Sequence, residues 1–134
     1  MVEQAPERAG ARRARVVVVD DEPSVVALVR TVLQIDGHDV YEALNGPIGL
    51  ATVEAVLPSV VVLDVMMPGM DGVEVCRHIY TDHPGVQVLV LTGSADPELA
   101  ERCREAGAAA FMAKPFEPEQ LSAAVRALAA AAEL

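Results

Sequence analysis

Apolar and polar positions fall into two alternating kinds of segment. Short runs rich in β-branched residues, Val16–Val19, Val60–Leu63 and Val86–Leu91, read as strands buried on both faces of a parallel sheet. Two weaker runs, His38–Ala43 and Ala109–Ala113, read as an edge strand and a short fifth strand. Between them apolar residues recur at helical spacing: Val25, Val26, Leu28, Val29, Val32 and Leu33, then Val73, Cys76, Ile79 and Tyr80, then Leu99, Cys103 and Ala106. Asn45-Gly46-Pro47 opens a further helix that stops near Leu57-Pro58, and a last one runs from about Pro118 into the alanine-rich tail. Pro23 suits a first helical turn, Asp71 is an N-cap by type, and Gly37 and Gly107 are natural stops. Strand and helix alternate five times, the pattern of a parallel sheet covered on both faces.

The polar residues at the strand ends narrow the chemistry. Val19 leads into Asp20 and Asp21, Leu63 into Asp64, Leu91 into Thr92 and Ala113 into Lys114. In an open α/β sheet ligands bind beyond the carboxyl ends of the strands, where the strand order reverses. The doubly wound, flavodoxin-like order 2-1-3-4-5 makes the first and third strands neighbours at that point, which places Asp20 and Asp21 beside Asp64. Carboxylates about 4–6 Å apart repel by about 3–4 kcal/mol per pair at an effective dielectric of ~20. Either one takes up a proton or a divalent cation binds. Oxygen donors without His or Cys suit magnesium, with manganese as a substitute, and not zinc. Magnesium, a nucleophilic carboxylate at Asp64, the Thr92 hydroxyl and the Lys114 ammonium together fit phosphoryl transfer, with Asp64 forming an acyl phosphate.

Composition bounds the rest. A chain of 134 residues has room for one domain with a proper core, and 52% apolar residues with 3% aromatic exclude a disordered chain. Residues 1–14 read as a flexible leader and 15–134 as the domain. The formal charge is −10, and because residues 1–15 hold four Arg against two Glu, the remaining body carries −12. So acidic a body argues against direct nucleic-acid binding. No apolar run approaches the ~20 residues of a membrane span, and no signal peptide is visible, so a cytoplasmic setting is expected. Cys76 and Cys103 sit on apolar helical stripes and read as free, buried thiols. His38, His78 and His83 read as surface or loop residues, and Met66, Met67 and Met70 as packing for the loop after Asp64.

Four segments in this order, Val-Val-Asp20-Asp21-Glu22, Asp64-Val-Met-Met-Pro68-Gly-Met-Asp-Gly72, Leu-Thr92-Gly and Phe111-Met-Ala-Lys114-Pro115-Phe116, resemble the receiver domain of two-component response regulators of the chemotaxis-regulator type. The resemblance covers roughly Arg15 to Ala130. It implies that Asp64 is the phosphoacceptor of a sensor histidine kinase or histidine phosphotransfer protein. Asp21, Asp64 and the Met66 main-chain carbonyl would hold magnesium, with Asp20 helping through a water. It further implies a switch hydroxyl at Thr92, a switch aromatic at Phe111, a cis Lys114-Pro115 step, and rate-tuning positions at Met66 and Ser94. Output would pass through the face of the fourth helix, fifth strand and fifth helix (α4-β5-α5) to a partner or output domain, with homodimerisation on phosphorylation left open. The domain would catalyse only its own phosphorylation and dephosphorylation. Two rivals are weighed against this. An aspartyl-nucleophile magnesium phosphatase needs a second Asp two residues after the first, where this chain has Met66. A pseudo-receiver binding module would lack an acidic, hydroxyl or lysine position, and none is lacking.

Overall fold

The structure, a computed structural model, describes residues 13–132. The elements are β1 (Arg15–Val19), α1 (Pro23–Ile35), β2 (Asp39–Ala43), α2 (Gly46–Val56), β3 (Val60–Asp64), α3 (Gly72–Asp82), β4 (Gln87–Thr92), α4 (Pro97–Glu105), β5 (Ala110–Ala113) and α5 (Pro118–Ala132). All strand pairs are parallel, in the order β2-β1-β3-β4-β5. The five expected strands and five helices are therefore present in the expected order, with ends displaced by a residue or two.

Period-two alternation along the central strands sorts their side chains into two cores. Val17, Val19, Val61, Leu63, Val88 and Val90 pack under α2, α3 and α4, meeting Val53, Cys76, Ile79 and Cys103. Val16, Val18, Val60, Val62, Leu89 and Leu91 face the other way, onto Val29 and Leu33 of α1 and Leu121 and Val125 of α5. Each such fully buried Val or Leu contributes about 1.5–3 kcal/mol relative to exposure. The helices start where the residue types direct. Asn45, Asp71 and Asp96 each cap the helix after them, accepting a hydrogen bond from a backbone N–H two or three residues on. Gly37 and Gly107 end α1 and α4 at φ +92° and +108°.

Two expectations change, those for His38 and Met66, and a third falls mostly outside the described residues. His38 is not on the surface but buried at 6% exposure, where its Nδ1 accepts from the Ala14 N–H at 3.1 Å. That backbone donor lies just before β1 and has no ladder partner of its own, so a side chain supplies the acceptor. The leader expected over 1–14 lies outside the described residues up to residue 12. Its last two residues are held: the Arg13 guanidinium pairs with Asp39 at 2.8 Å, and the Ala14 carbonyl accepts from the Asp39 N–H at 2.9 Å. Of the three loop methionines, Met67 is buried and Met70 lies against the core, while Met66 is 57% exposed because Val65 and Met67 on either side of it take the inward positions. His78 is exposed and His83 half-buried beside Glu54.

Candidate functional site

Strand register brings the polar strand ends level. Val19 stands opposite Leu63, so Asp20 follows beside Asp64; Asp64 stands opposite Leu91, next to Thr92; Thr92 stands opposite Ala113, which precedes Lys114. Three of these residues use one local device. Asp20 Oδ1 accepts from the Glu22 N–H at 3.0 Å, Asp64 Oδ1 from the Met66 N–H at 2.8 Å, and Thr92 Oγ1 from the Ser94 N–H at 3.1 Å. Each side chain thus closes a small turn on its own loop, which fixes its rotamer. In the two aspartates this leaves the other oxygen, Oδ2, free to face inward.

Lys114 meets both free oxygens. Its Nζ donates to Asp20 Oδ2 at 2.9 Å and to Asp64 Oδ2 at 3.2 Å, with Glu22 Oε1 at 3.5 Å. The lysine is anchored through its backbone, since its N–H donates to the Thr92 carbonyl at 2.8 Å; the Lys114-Pro115 bond is cis. Asp20, Asp64 and Thr92 are almost wholly buried. Burial pushes the Asp20 carboxyl above its ordinary range and the charge of Asp64 adds to this, against the hydrogen bonds from the Glu22 N–H and Lys114. Burial also works against the Lys114 ammonium, but the Asp20 hydrogen bond and the charges of Asp64 and Asp20 outweigh it, so Lys114 stays protonated above its ordinary range.

The Asp20, Asp21 and Asp64 side chains each offer an oxygen within 4.8 Å of the others. One ammonium against three carboxylates leaves an excess of two negative charges, and the donors are all hard oxygens. The residues present therefore fit a divalent cation such as magnesium. Asp21, Glu22, Asp64, Met66, Gly93 and Lys114 line an open cleft of about 330 Å³. Its far wall is the loop after β3, which packs tightly at both ends. Met70 lies on Gly46, and a Cβ on Gly72 would come within 2.3 Å of the Val65 Cα.

Outside the cleft, Ser94 stands between β4 and α4, its Oγ accepting from the Asp96 N–H at 3.1 Å. Phe111 is partly buried opposite Val90 and, with Ala100, Cys103 and Arg104, borders a cavity of about 60 Å³ between α4 and β5. Cys76 and Cys103 are free and buried, and burial pushes the Cys76 thiol up to about 11. Two contacts had no role assigned in the sequence. Glu22 is a third partner of Lys114, signalled only by an unusual residue type at the N-cap position of α1. Arg102 of α4 approaches Asp71 at 3.9 Å, a pairing between distant positions that no periodicity reveals.

The family profile of the response regulator receiver domain matches residues 16–126. The chain belongs to the response regulator receiver family. Among curated relatives it is 39% identical to the DNA-binding response regulator MtrA of Mycolicibacterium smegmatis, over 86% of this chain and 50% of that protein. It is 36% identical to the alkaline phosphatase synthesis transcriptional regulatory protein PhoP of Bacillus subtilis, over 90% of this chain and 50% of PhoP. The chain thus spans about half the length of the curated relatives it matches. Among solved structures, a CheY-like receiver domain protein of Methanospirillum hungatei superposes with TM-score 0.87 at 26% identity, covering 91% of this chain and 98% of that one. The BeF3-activated DrrB receiver domain does so with TM-score 0.81 at 36% identity, covering 87% and 97%. This receiver domain therefore shares both sequence and fold with two-component response regulators. Among the described residues, no helix is long and apolar enough to cross a membrane.

Proposed function

We propose that this receiver domain is a phosphorylation-operated switch in which Asp64 accepts a phosphoryl group from a phosphohistidine of a sensor histidine kinase or histidine phosphotransfer protein. The observation that carries this reading is the Lys114 ammonium lying between Asp20 Oδ2 and Asp64 Oδ2 beside an open cleft. Asp64 Oδ2 attacks phosphorus, a P–O bond forms as the P–N bond breaks, and the departing imidazole takes up a proton. Asp64 Oδ1 stays on the Met66 N–H, which orients the attacking oxygen. Lys114 turns from the aspartates to the equatorial phosphoryl oxygens, and the Thr92 hydroxyl moves to another of them. Asp21, Asp64 and the Met66 carbonyl would hold magnesium or manganese, with Asp20 through a water. Bound there, the ion neutralises the carboxylates and the charge developing on the phosphoryl oxygens.

Output would pass through α4, β5 and α5. Thr92 ends β4 just before α4, and Phe111 borders the cavity between α4 and β5, so movement at the phosphate reaches that face directly. Two of its elements are lightly anchored: Cys103 is the one fully buried residue of α4, and no residue of β5 is buried, whereas all of β3 is. An output domain or separate protein reading this face, with the domain acting on itself alone as a catalyst, completes the proposal. The MtrA and PhoP relatives carry DNA-binding and transcriptional names, and for this chain such an output is a proposal only. A phosphatase reading is not supported, because Met66 stands where its general acid would.

Incubation with acetyl phosphate and magnesium, followed by intact-mass measurement, tests the reading. The wild type gains one phosphoryl group and Asp64→Asn gains none. An unmodified wild type, or equal gain in both, overturns it.

A further inference from the structure

We propose that Glu22 is a positioning residue for Lys114, keeping its ammonium at the mouth of the cleft while phosphoryl transfer engages Asp20 and Asp64. The inference rests on Asp64 being the phosphoacceptor. An ammonium has three donors, and Lys114 has three carboxylate partners, at 2.9, 3.2 and 3.5 Å. Two of the three change role during transfer: Asp64 becomes the acyl phosphate, and Asp20 belongs to the cluster that fits a cation. Glu22 lies outside that cluster. Its side chain is 60% exposed and keeps its freedom to follow the ammonium.

The backbone makes Glu22 available for this. It occupies the N-cap position of α1, with extended φ −99° and ψ 109°, yet its side chain makes no capping hydrogen bond. Asn45, Asp71 and Asp96, at the corresponding positions of α2, α3 and α4, all do. The Glu22 N–H is held on Asp20 Oδ1 at 3.0 Å, so the residue is anchored beside the aspartate while its carboxylate reaches across the mouth to Lys114. The same negative charge stands in the path of an incoming anionic donor. Glu22 therefore opposes donor binding and favours the chemical step, and the two effects separate in kinetics.

The test measures phosphorylation by acetyl phosphate at saturating magnesium for the wild type, Glu22→Gln and Glu22→Asp. Glu22→Gln lowers the half-saturating donor concentration roughly twofold, the size of one screened surface charge, while the maximal rate falls. Glu22→Asp keeps the charge but withdraws its reach, so half-saturation stays at the wild-type value and the maximal rate still falls. Lys114 is the only lysine in the chain, so lysine-selective isotope labelling gives one side-chain NMR signal. That signal shifts between wild type and Glu22→Gln more in the magnesium–beryllofluoride state than in the resting protein, where Asp20 and Asp64 still hold the ammonium. Unchanged maximal rates in both variants, a half-saturating concentration that stays the same or rises in Glu22→Gln, or a lysine signal insensitive to Glu22 would overturn the proposal. A wild type that gains no phosphoryl mass overturns the phosphoacceptor reading itself.

Discussion

Replacing Asp20 with Asn should make the metal-free protein more stable, although it deletes the shortest ion pair of the site. Asp20 is 1% exposed, and oxygens of Asp21 and Asp64 lie within 4.8 Å of its own. At an effective dielectric of ~20, two repulsions at that separation amount to about 7 kcal/mol, against about 6 kcal/mol of attraction to Lys114 at the 2.9 Å contact. Lys114 also keeps Asp64 and Glu22 as partners, so its ammonium is not orphaned. The Coulomb terms nearly cancel, and removing a buried charge decides the sign. The net gain is about 1–3 kcal/mol, a rise in Tm of at least roughly 4 °C for a domain of this size. Asn retains an oxygen for the Glu22 N–H, so the local turn survives. Thermal unfolding followed by circular dichroism, in chelator and in saturating magnesium, provides the measurement. The variant should melt above the wild type in chelator, and the gap should narrow or reverse in magnesium, because an ion held by the wild-type cluster would stabilise its folded state. A variant that melts lower in chelator refutes the view that the carboxylates are under-compensated.

Three further outcomes are expected. Gly72→Ala places a methyl group within 2.3 Å of the Val65 Cα, which only a backbone shift relieves; a loss of about 1–3 kcal/mol or more in urea unfolding is expected, together with slower phosphorylation. His38 adds a pH dependence away from the site. Burial, with Arg126, holds it below its ordinary value against the pull of Asp36 and Asp39, so the folded state resists protonation where the unfolded chain takes up a proton, at about pH 6.5. Stability is therefore full above that pH and is lost as pH falls below it, and in His38→Gln the fall between about pH 7 and 5 should flatten. Met66→Asn places a hydrogen-bonding group at an exposed position of the cleft wall in place of a side chain that orients no water. The acyl phosphate should then decay faster in a mass-resolved time course; an unchanged or slower decay contradicts the role given to Met66.

Local chemistry made most of the architecture legible. A valine run needs no distant information to become a strand buried on both faces, and Asn45, Asp71 and Asp96 start helices through hydrogen bonds to N–H groups two or three residues away. Because every polar residue of interest directly follows a strand, strand order alone was enough to gather Asp20, Asp64 and Lys114 at one edge. What the residue string left open depends on contacts between segments far apart in the chain. His38 looks like a turn residue until the chain before β1 brings the Ala14 N–H to it, and Glu22 looks like an ordinary helix-start acid until Lys114, 92 positions later, arrives within 3.5 Å. Which oxygen of each aspartate faces Lys114 was likewise decided in three dimensions, by the Glu22 and Met66 N–H groups that claim the other. Periodicity reports which face of an element is apolar, whereas the partner of a buried polar atom is chosen by where the folded sheet carries a distant donor.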